Sequence, residues 1–248
     1  MIEIVDLYKS FGGKQVLNGV NLSIHKGETL VIIGRSGEGK SVLIKHIVGL
    51  LRPDSGYVSV EGQVVSELEE KQLYELRKKF GFLFQGSALF DSMTVEDNIG
   101  LPLVEGQLKL KKDEIDKIVT EKLALVGLPG VQKFKPSELS GGMKKRVALA
   151  RALVTDPDYI LYDEPTTGLD PIMSDSIDNL IQELSNKLTV TSVVVTHDMY
   201  SVKNVADKVA LLYNGKIHFT GKPEELLNST DKVITDFIKR TEIKATPL

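Results

Sequence analysis

Cysteine is absent from the 248 residues of this chain. Disulfides are therefore excluded, as are thiolate metal ligands and nucleophiles, and this fits a reducing compartment. The chain also lacks a large excess of charge of one sign, because it has 31 basic and 34 acidic residues and a formal net charge of −3. We expect no broad electrostatic attraction to an anionic membrane and no nucleic acid partner.

Long apolar runs are missing as well. Segments such as 30–33 and 193–195 are far shorter than the roughly 18 residues that suggest a membrane-spanning helix. Residues 1–6 lack the basic and apolar regions of a secretory signal. We therefore expect a chain that does not cross a bilayer and that resides in the cytosol. Its 42% of hydrophobic residues are enough for one core, or for one core with an inserted subdomain.

Short apolar runs alternate with helical patterns and predict an α/β chain without internal repeats. The predicted strands cover 2–7, 16–24, 29–33, 159–162 and 191–196, and the predicted helices cover 41–51, 64–79, 108–126 and 171–188. The last strand pair flanks a helix, which is the order of a parallel sheet. The end of the chain, 244–248, is expected to be frayed.

A glycine-rich segment has the strongest chemical signal. It matches the phosphate-loop pattern and lies between a predicted strand and a predicted helix, the context that this pattern requires: Gly34, Arg35, Ser36, Gly37, Glu38, Gly39, Lys40 and Ser41. Lys40 would neutralise the β- and γ-phosphates of ATP, and Ser41 would coordinate Mg²⁺. A glycine-rich connector with an exposed lysine is the alternative. Glu38 is unfavourable beside phosphates unless its side chain turns to solvent.

Two further segments fit the same chemistry. Asp163 and Glu164 end an apolar strand, where Asp163 can bind Mg²⁺ through water and Glu164 can act as general base toward the attacking water. Ser140 precedes Gly141, Gly142 and a strongly helix-forming run, which predicts a capped helix start with exposed N–H groups and a second anion site. Taken alone, each segment is also compatible with a structural role.

These motifs occur together with Gly168-Leu169-Asp170 and His197, in an order that resembles the ATPase subunits of ABC transporters over residues 2 to about 227. The resemblance implies a phosphate-loop NTPase fold with a parallel-sheet RecA-like core, an antiparallel β subdomain and an inserted helical subdomain. It implies one nucleotide-binding domain over 1–248. Its parts would be a RecA-like core with the β subdomain at 1–86 and 152–229, a helical subdomain at 87–151 and a C-terminal tail at 230–248.

The resemblance also implies roles for particular residues in a head-to-tail dimer. Ser140, Gly141 and Gly142 of one copy would bind ATP held by the other, and Asp170 would shape the dimer contact. Gln85 would join Mg²⁺ and the attacking water to the membrane subunit, and His197 would contact the γ-phosphate. Phe11 would stack on adenine, although Tyr8 and a plain core role for Phe11 compete with this. Val42, next to the phosphate loop, stands where the family often has threonine.

Segment 84–95, Phe-Gln-Gly-Ser-Ala-Leu-Phe-Asp-Ser-Met-Thr-Val, is similar to the ATPase of Mla/Mce-type lipid transporters. This implies integral membrane permease partners, a periplasmic or Mce-type lipid-binding component, and a peripheral location on the cytoplasmic face of a bacterial inner membrane. Leu89 and Phe90 would anchor a cytoplasmic helix of the permease, unless they pack inside the insertion. An importer of amino acids or other small solutes is the alternative. A chromosome-maintenance ATPase would need a long coiled coil, and this sequence has no heptads. A ribosome-binding relative would usually carry two nucleotide cassettes, and this chain has one.

Overall fold

The computed structural model describes residues 1–106 and 110–245. Within these ranges the strands are β1 (Ile2–Phe11), β2 (Lys14–Ile24), β3 (Thr29–Ile33), β4 (Ser55–Val60), β5 (Gln63–Val64), β6 (Phe80–Leu83), β7 (Tyr159–Asp163), β8 (Thr191–Thr196), β9 (Lys208–Tyr213) and β10 (Lys216–Gly221). The α-helices are α1 (Lys40–Ile47), α2 (Glu70–Lys78), α3 (Val95–Glu105), α4 (Lys112–Leu125), α5 (Gly141–Leu153), α6 (Pro171–Leu188), α7 (Met199–Val205), α8 (Pro223–Leu227) and α9 (Lys232–Ala245).

The central sheet has the strand order β10-β9-β3-β8-β7-β6. Its strands run parallel except β10, which pairs antiparallel with β9 at one edge. Every residue of β3, β7 and β8 is buried, because both faces of the sheet are covered. Apolar residues accordingly make up most of β3 and β7 and the centre of β8. Parallel strands end at the same edge, so the residues that follow β3, β7 and β8 come together there.

Each face of this sheet has its own core. On one face lie α1 and an antiparallel sheet of order β2-β1-β4-β5, which bury residues such as Ile4, Val58 and Leu43 against Ile32 and Leu161. The helices α3 to α9 contribute to the core on the other face. The predicted combination of a parallel-sheet core, an antiparallel subdomain and inserted helices is confirmed.

The insertion between β6 and β7 contains α3, α4 and α5, which pack on one another. A capping box opens α3: the Asp97 N–H donates to Thr94 Oγ1 at 3.2 Å, and the Thr94 N–H donates to Asp97 Oδ2 at 3.2 Å. Asn98 is fully buried on α3 and holds the preceding segment, because its side chain bonds both the N–H and the carbonyl of Phe90. This ties the chain after β6 to the insertion.

Several predicted boundaries were wrong. The segment 64–79 is not one helix, because Glu61 and Gly62 adopt φ values of 52° and 82°, the backbone of a tight hairpin turn, and pair β4 with β5. A 3₁₀ turn, Val65–Glu67, follows, and α2 begins only at Glu70. Helix α1 ends at Ile47 rather than at residue 51, because the chain turns at Gly49, whose φ is +64°. Of the helix predicted over 108–126, residues 108 and 109 lie outside the described residues.

The segment predicted as a C-terminal tail from residue 230 contains α9. Ile234 and Phe237 of α9 are buried in the core, and α9 packs against α7. Of the end predicted to be frayed, Lys244 and Ala245 belong to α9, and 246–248 lie outside the described residues. None of the helices within 1–106 and 110–245 combines the length and the apolar character that a membrane crossing needs.

Candidate functional site

The phosphate loop, residues 34–39, connects the buried strand β3 to α1. Gly39 has a φ of +101°, and a Cβ on it would lie 2.8 Å from Val16 Cγ1. A Cβ on Gly34 would lie 2.6 Å from the carbonyl oxygen of Leu212. A side chain at either position would therefore collide with a neighbour or strain the backbone. The loop ends at the positive N-terminal end of α1, which favours a bound anion.

Lys40 is buried at the start of α1. Its Nζ donates to the carbonyl oxygens of Gly34 at 2.9 Å and Arg35 at 3.3 Å. The same Nζ lies 3.2 Å from Glu164 Oε1. The lysine is thus folded over the loop, and its charge is shared between the loop carbonyls and the carboxylate that follows β7.

Ser41 and Asp163 place two oxygen ligands side by side. Ser41 Oγ donates to Asp163 Oδ1 at 2.6 Å. Burial raises the pKa of Asp163, while the hydrogen bond from Ser41 opposes that shift. Over residues 1–106 and 110–245, no three His, Cys, Asp or Glu side chains are grouped as a metal site. A hydroxyl beside a single carboxylate nevertheless suits Mg²⁺ in a nucleotide site, where phosphates supply further ligands.

Glu164 is the centre of a hydrogen-bonded cluster. Its Oε2 accepts from Thr167 Oγ1 at 3.1 Å and lies 2.8 Å from His197 Nδ1. Burial favours the neutral acid, but the hydrogen bond from His197 and the charge of Lys40 outweigh burial and lower the pKa of Glu164. In return, the hydrogen bond to Glu164 raises the pKa of His197. An ionised carboxylate is the form that can accept a proton from water.

A second group of predicted residues lies at the starts of α5 and α6. Ser140 caps α5 as predicted, its Oγ accepting from the Met143 N–H at 3.3 Å. Asp170 caps α6 in the same way, accepting from the Met173 N–H at 3.0 Å. A Cβ on Gly142 would lie 2.1 Å from Met173 Cε, so the two helix starts are in close contact. Ser140, Gly141 and Asp170 are exposed.

The remaining predicted residues surround the phosphate loop or lie beside it. Arg35 and Ser36 are exposed, and Val42 is half-buried on α1. Glu38 does not turn to solvent as expected: it is half-buried, and its Oε2 accepts from the Asn214 N–H at 2.8 Å. The turn between β9 and β10 thereby satisfies the carboxylate.

Phe11 and Gln85, two further predicted residues, both have exposed side chains. Phe11 is 45% exposed at the end of β1, which rules out a plain core role and leaves adenine stacking as a prediction. Tyr8 lies against Gly19 on the antiparallel sheet. Gln85 has an exposed side chain just after β6, and its carbonyl accepts from Lys145 Nζ.

Sequence reasoning missed three residues of this region. Thr167 bonds Glu164, Lys145 bonds the carbonyls of Gln85 and Glu164, and Arg151 bonds the carbonyls of Ser87 and Ala88. The spacing of Lys145 from the apolar Ala148, Leu149 and Ala152 of α5 would have placed Lys145 on the buried face of this helix. Its position in the charged run Lys144-Lys145-Arg146 concealed that signal.

A comparison with protein families matches residues 17–167 to the ABC transporter family. The chain is 44% identical over 242 residues to the Mycobacterium tuberculosis probable ribonucleotide transport ATP-binding protein mkl, covering 98% of this chain and 67% of that protein. It is 41% identical to the Haemophilus influenzae intermembrane phospholipid transport system ATP-binding protein MlaF, covering 96% of this chain and 90% of MlaF.

Two further comparisons extend these findings. The chain is 41% identical to the Clostridium tetani methionine import ATP-binding protein MetN, covering 98% of this chain and 76% of MetN. Among solved structures, it resembles the ATP-binding cassette MJ0796, a dimer in a post-hydrolysis state bound to ADP and Pi, with a TM-score of 0.82 and 33% identity. That match covers 90% of this chain and 99% of MJ0796.

Proposed function

This chain belongs to the ABC transporter family as an ATP-hydrolysing subunit, and we propose that it energises lipid transport through separate membrane subunits. The observation that carries the ATPase site is the contact of Glu164 with both Lys40, at 3.2 Å, and His197, at 2.8 Å. These are the base, the phosphate-binding cation and the γ-phosphate contact that hydrolysis requires.

Each residue has a defined part in the proposed reaction. Lys40 neutralises the β- and γ-phosphates, Glu164 accepts the proton of the attacking water, and His197 contacts the γ-phosphate. Ser41 and Asp163, with Gln85, would hold Mg²⁺, which neutralises phosphate charge when it is bound. The loop N–H groups and the start of α1 bind the phosphates, and Phe11 stacks on adenine.

The second group of residues is proposed to act on the nucleotide of another copy. Ser140, Gly141 and Gly142 present N–H groups at the positive end of α5, and Ser140 and Gly141 are exposed. A head-to-tail dimer would set these residues on the γ-phosphate that Lys40 of the other copy binds, with Asp170 at the contact. The dimeric state of the MJ0796 cassette supports this arrangement.

Lipid is the proposed cargo because of the segment 84–95 and the relationship to MlaF, whose name includes phospholipid transport. Phe90 is 50% exposed in this segment, whereas Leu89 packs partly against the core. We propose that this surface binds the permease at the cytoplasmic face of a bacterial inner membrane, and that an Mce-type or periplasmic lipid-binding component completes the complex. Amino-acid import is the second candidate, and the relationship to MetN favours it.

Purification of the chain with its membrane subunits, followed by mass spectrometry of the bound small molecules, tests the cargo. We expect phospholipids in the complex, and we expect phospholipid in vesicles or nanodiscs to stimulate its ATPase. Methionine or another amino acid that stimulates turnover, with no effect of lipid, would contradict lipid transport and support the importer.

A further inference from the structure

Lys145 on α5 is a buried lysine that the proposed chemistry does not use. Its residue is 5% exposed, and lysine is almost never buried to this degree unless it is paired. Burial lowers the pKa of Lys145, and the nearby charges of Asp163 and Glu164 oppose that shift. Its Nζ donates to two backbone carbonyl oxygens, that of Gln85 and, at 3.3 Å, that of Glu164. The side chain therefore joins two backbone positions.

Both of these positions belong to the candidate active site. Gln85 follows β6 and Glu164 follows β7, and these strands are parallel neighbours. Glu164 has a φ of +49°, an uncommon conformation for a residue with a side chain. Its N–H donates to the Val195 carbonyl at 2.9 Å, and its own carbonyl accepts from Lys145. The Glu164 carbonyl also accepts from the Thr167 N–H at 3.3 Å. The peptide groups on both sides of the Glu164 Cα are thus held, and this sets the direction in which its side chain leaves the backbone.

Helix α5 links this position to the proposed dimer contact. Lys145 lies five residues after Ser140, a rise of about 7.5 Å along the helix axis. Further along the helix, Arg151 donates to the carbonyls of Ser87 at 2.8 Å and Ala88 at 2.7 Å. Ser87 and Ala88 both have positive φ, at 62° and 48°. One helix therefore holds the chain at Gln85 and again at Ser87 and Ala88, while Ser140 and Gly141 at its start are exposed.

We propose that Lys145 is a positioning residue that holds the backbone from which the Glu164 side chain projects and anchors the Gln85 loop to α5. The proposal rests on the proposed function, because it serves the ATP hydrolysis assigned to Glu164. Lys145 itself contacts neither phosphate nor water in this reaction.

The test uses the full chain with three substitutions. Lys145→Met keeps the length of the side chain but removes its donors, Lys145→Arg keeps donors and charge, and Lys117→Met is the control on the exposed face of α4. For Lys145→Met we expect ATP affinity within about threefold of wild type and a kcat lowered about tenfold or more, because small displacements of a catalytic group are costly. Lys145→Arg should regain most of the kcat, and Lys117→Met should match wild type.

A double substitution shows whether Lys145 acts through Glu164. In a Glu164→Gln background, followed by single-turnover hydrolysis of labelled ATP, Lys145→Met should change the residual rate by less than about twofold, because coupled residues are not additive. A further tenfold loss would overturn the proposal. So would a single Lys145→Met variant with wild-type kcat, or one whose ATP affinity falls as much as its kcat.

Folding is checked by the thermal midpoint of each variant. If Lys145→Met does not fold, Lys145→Leu, which also lacks a hydrogen-bond donor, replaces it with the same thresholds. Failure of the proposed function is a separate result: it would appear as wild-type turnover in Glu164→Gln alone, whatever Lys145→Met does.

Discussion

Asp178 of α6 is a buried carboxyl whose ionisation the fold resists. It is 1% exposed, and its Oδ2 accepts from Ser201 Oγ of α7 at 2.8 Å. Its Oδ1 has no hydrogen-bond partner among the described residues. Burial raises its pKa from 3.8 to about 7, and the charges of Asp198 and Asp175 add to the increase while the Ser201 hydrogen bond opposes it.

This shift predicts how stability depends on pH. The folded pKa lies above the unfolded value, so the folded state binds more protons between the two, and the free energy of unfolding falls as pH rises through that window. Between pH 5 and the folded pKa of about 7 lie roughly two units, which at about 1.4 kcal/mol each correspond to a loss of about 2 to 3 kcal/mol. Above pH 7 the loss levels off.

Asp178→Asn isolates this contribution, because the amide keeps the shape and never ionises. Urea unfolding of wild type and variant is measured at pH 5 and at pH 8.5. Between these pH values the free energy of unfolding of the wild type should fall by about 2 to 3 kcal/mol more than that of the variant. Asp116→Asn, exposed on α4, should stay within about 0.5 kcal/mol of wild type. A difference between Asp178→Asn and wild type that does not change with pH would refute the assignment of a raised pKa to Asp178.

Three further predictions concern binding. Lys40→Ala should abolish measurable ATP binding in calorimetry, because the phosphates lose a buried cation; unchanged affinity would contradict the site. Phe11→Ala should weaken ATP binding by up to about tenfold, the value of one stacking contact at about 0.5–1.5 kcal/mol, and an unchanged Kd would exclude adenine stacking there. Phe90→Ala should weaken assembly with the membrane subunits about thirtyfold, a loss of about 2 kcal/mol, at an unchanged thermal midpoint, because the ring is half exposed. Unfolding of this variant would place Phe90 in the core, and normal assembly would place the permease contact elsewhere.

Features that depend on residues close together in the chain could be predicted from the sequence. Two glycines of the phosphate loop, Gly37 and Gly39, have positive φ values of +84° and +101°, and this local requirement leaves a pattern within eight residues. Ser140 and Asp170 cap helices through bonds that span three residues. The strands β3 and β7 and the centre of β8, residues 193–195, are apolar because both faces of the sheet are covered, and these strands were recognised for that reason.

Contacts between distant segments could not be read in the same way. The bond between Lys145 and the Glu164 carbonyl spans 19 residues, and the bond between Glu38 and Asn214 spans 176; neither leaves a local pattern. Of the helix predicted over 64–79, only α2 from Glu70 forms, because pairing of β5 with β4 takes Val64 and a 3₁₀ turn follows it. The link between Lys40 and Glu164 was expected from the two motifs, whereas the place of His197 beside them was expected only from the family resemblance, because strand order in a sheet is set by the whole fold.

Light scattering and turnover of Glu164→Gln test the central claim most directly, namely that Glu164 is the base of an ATP site completed by a second copy. With ATP and Mg²⁺, we predict that the variant keeps nucleotide affinity, loses most hydrolysis and shifts from monomer to dimer. Addition of Ser140→Ala should weaken that dimer, because each site then loses a donor from the other copy. Wild-type hydrolysis by Glu164→Gln, or a mass that ignores ATP, would contradict the claim.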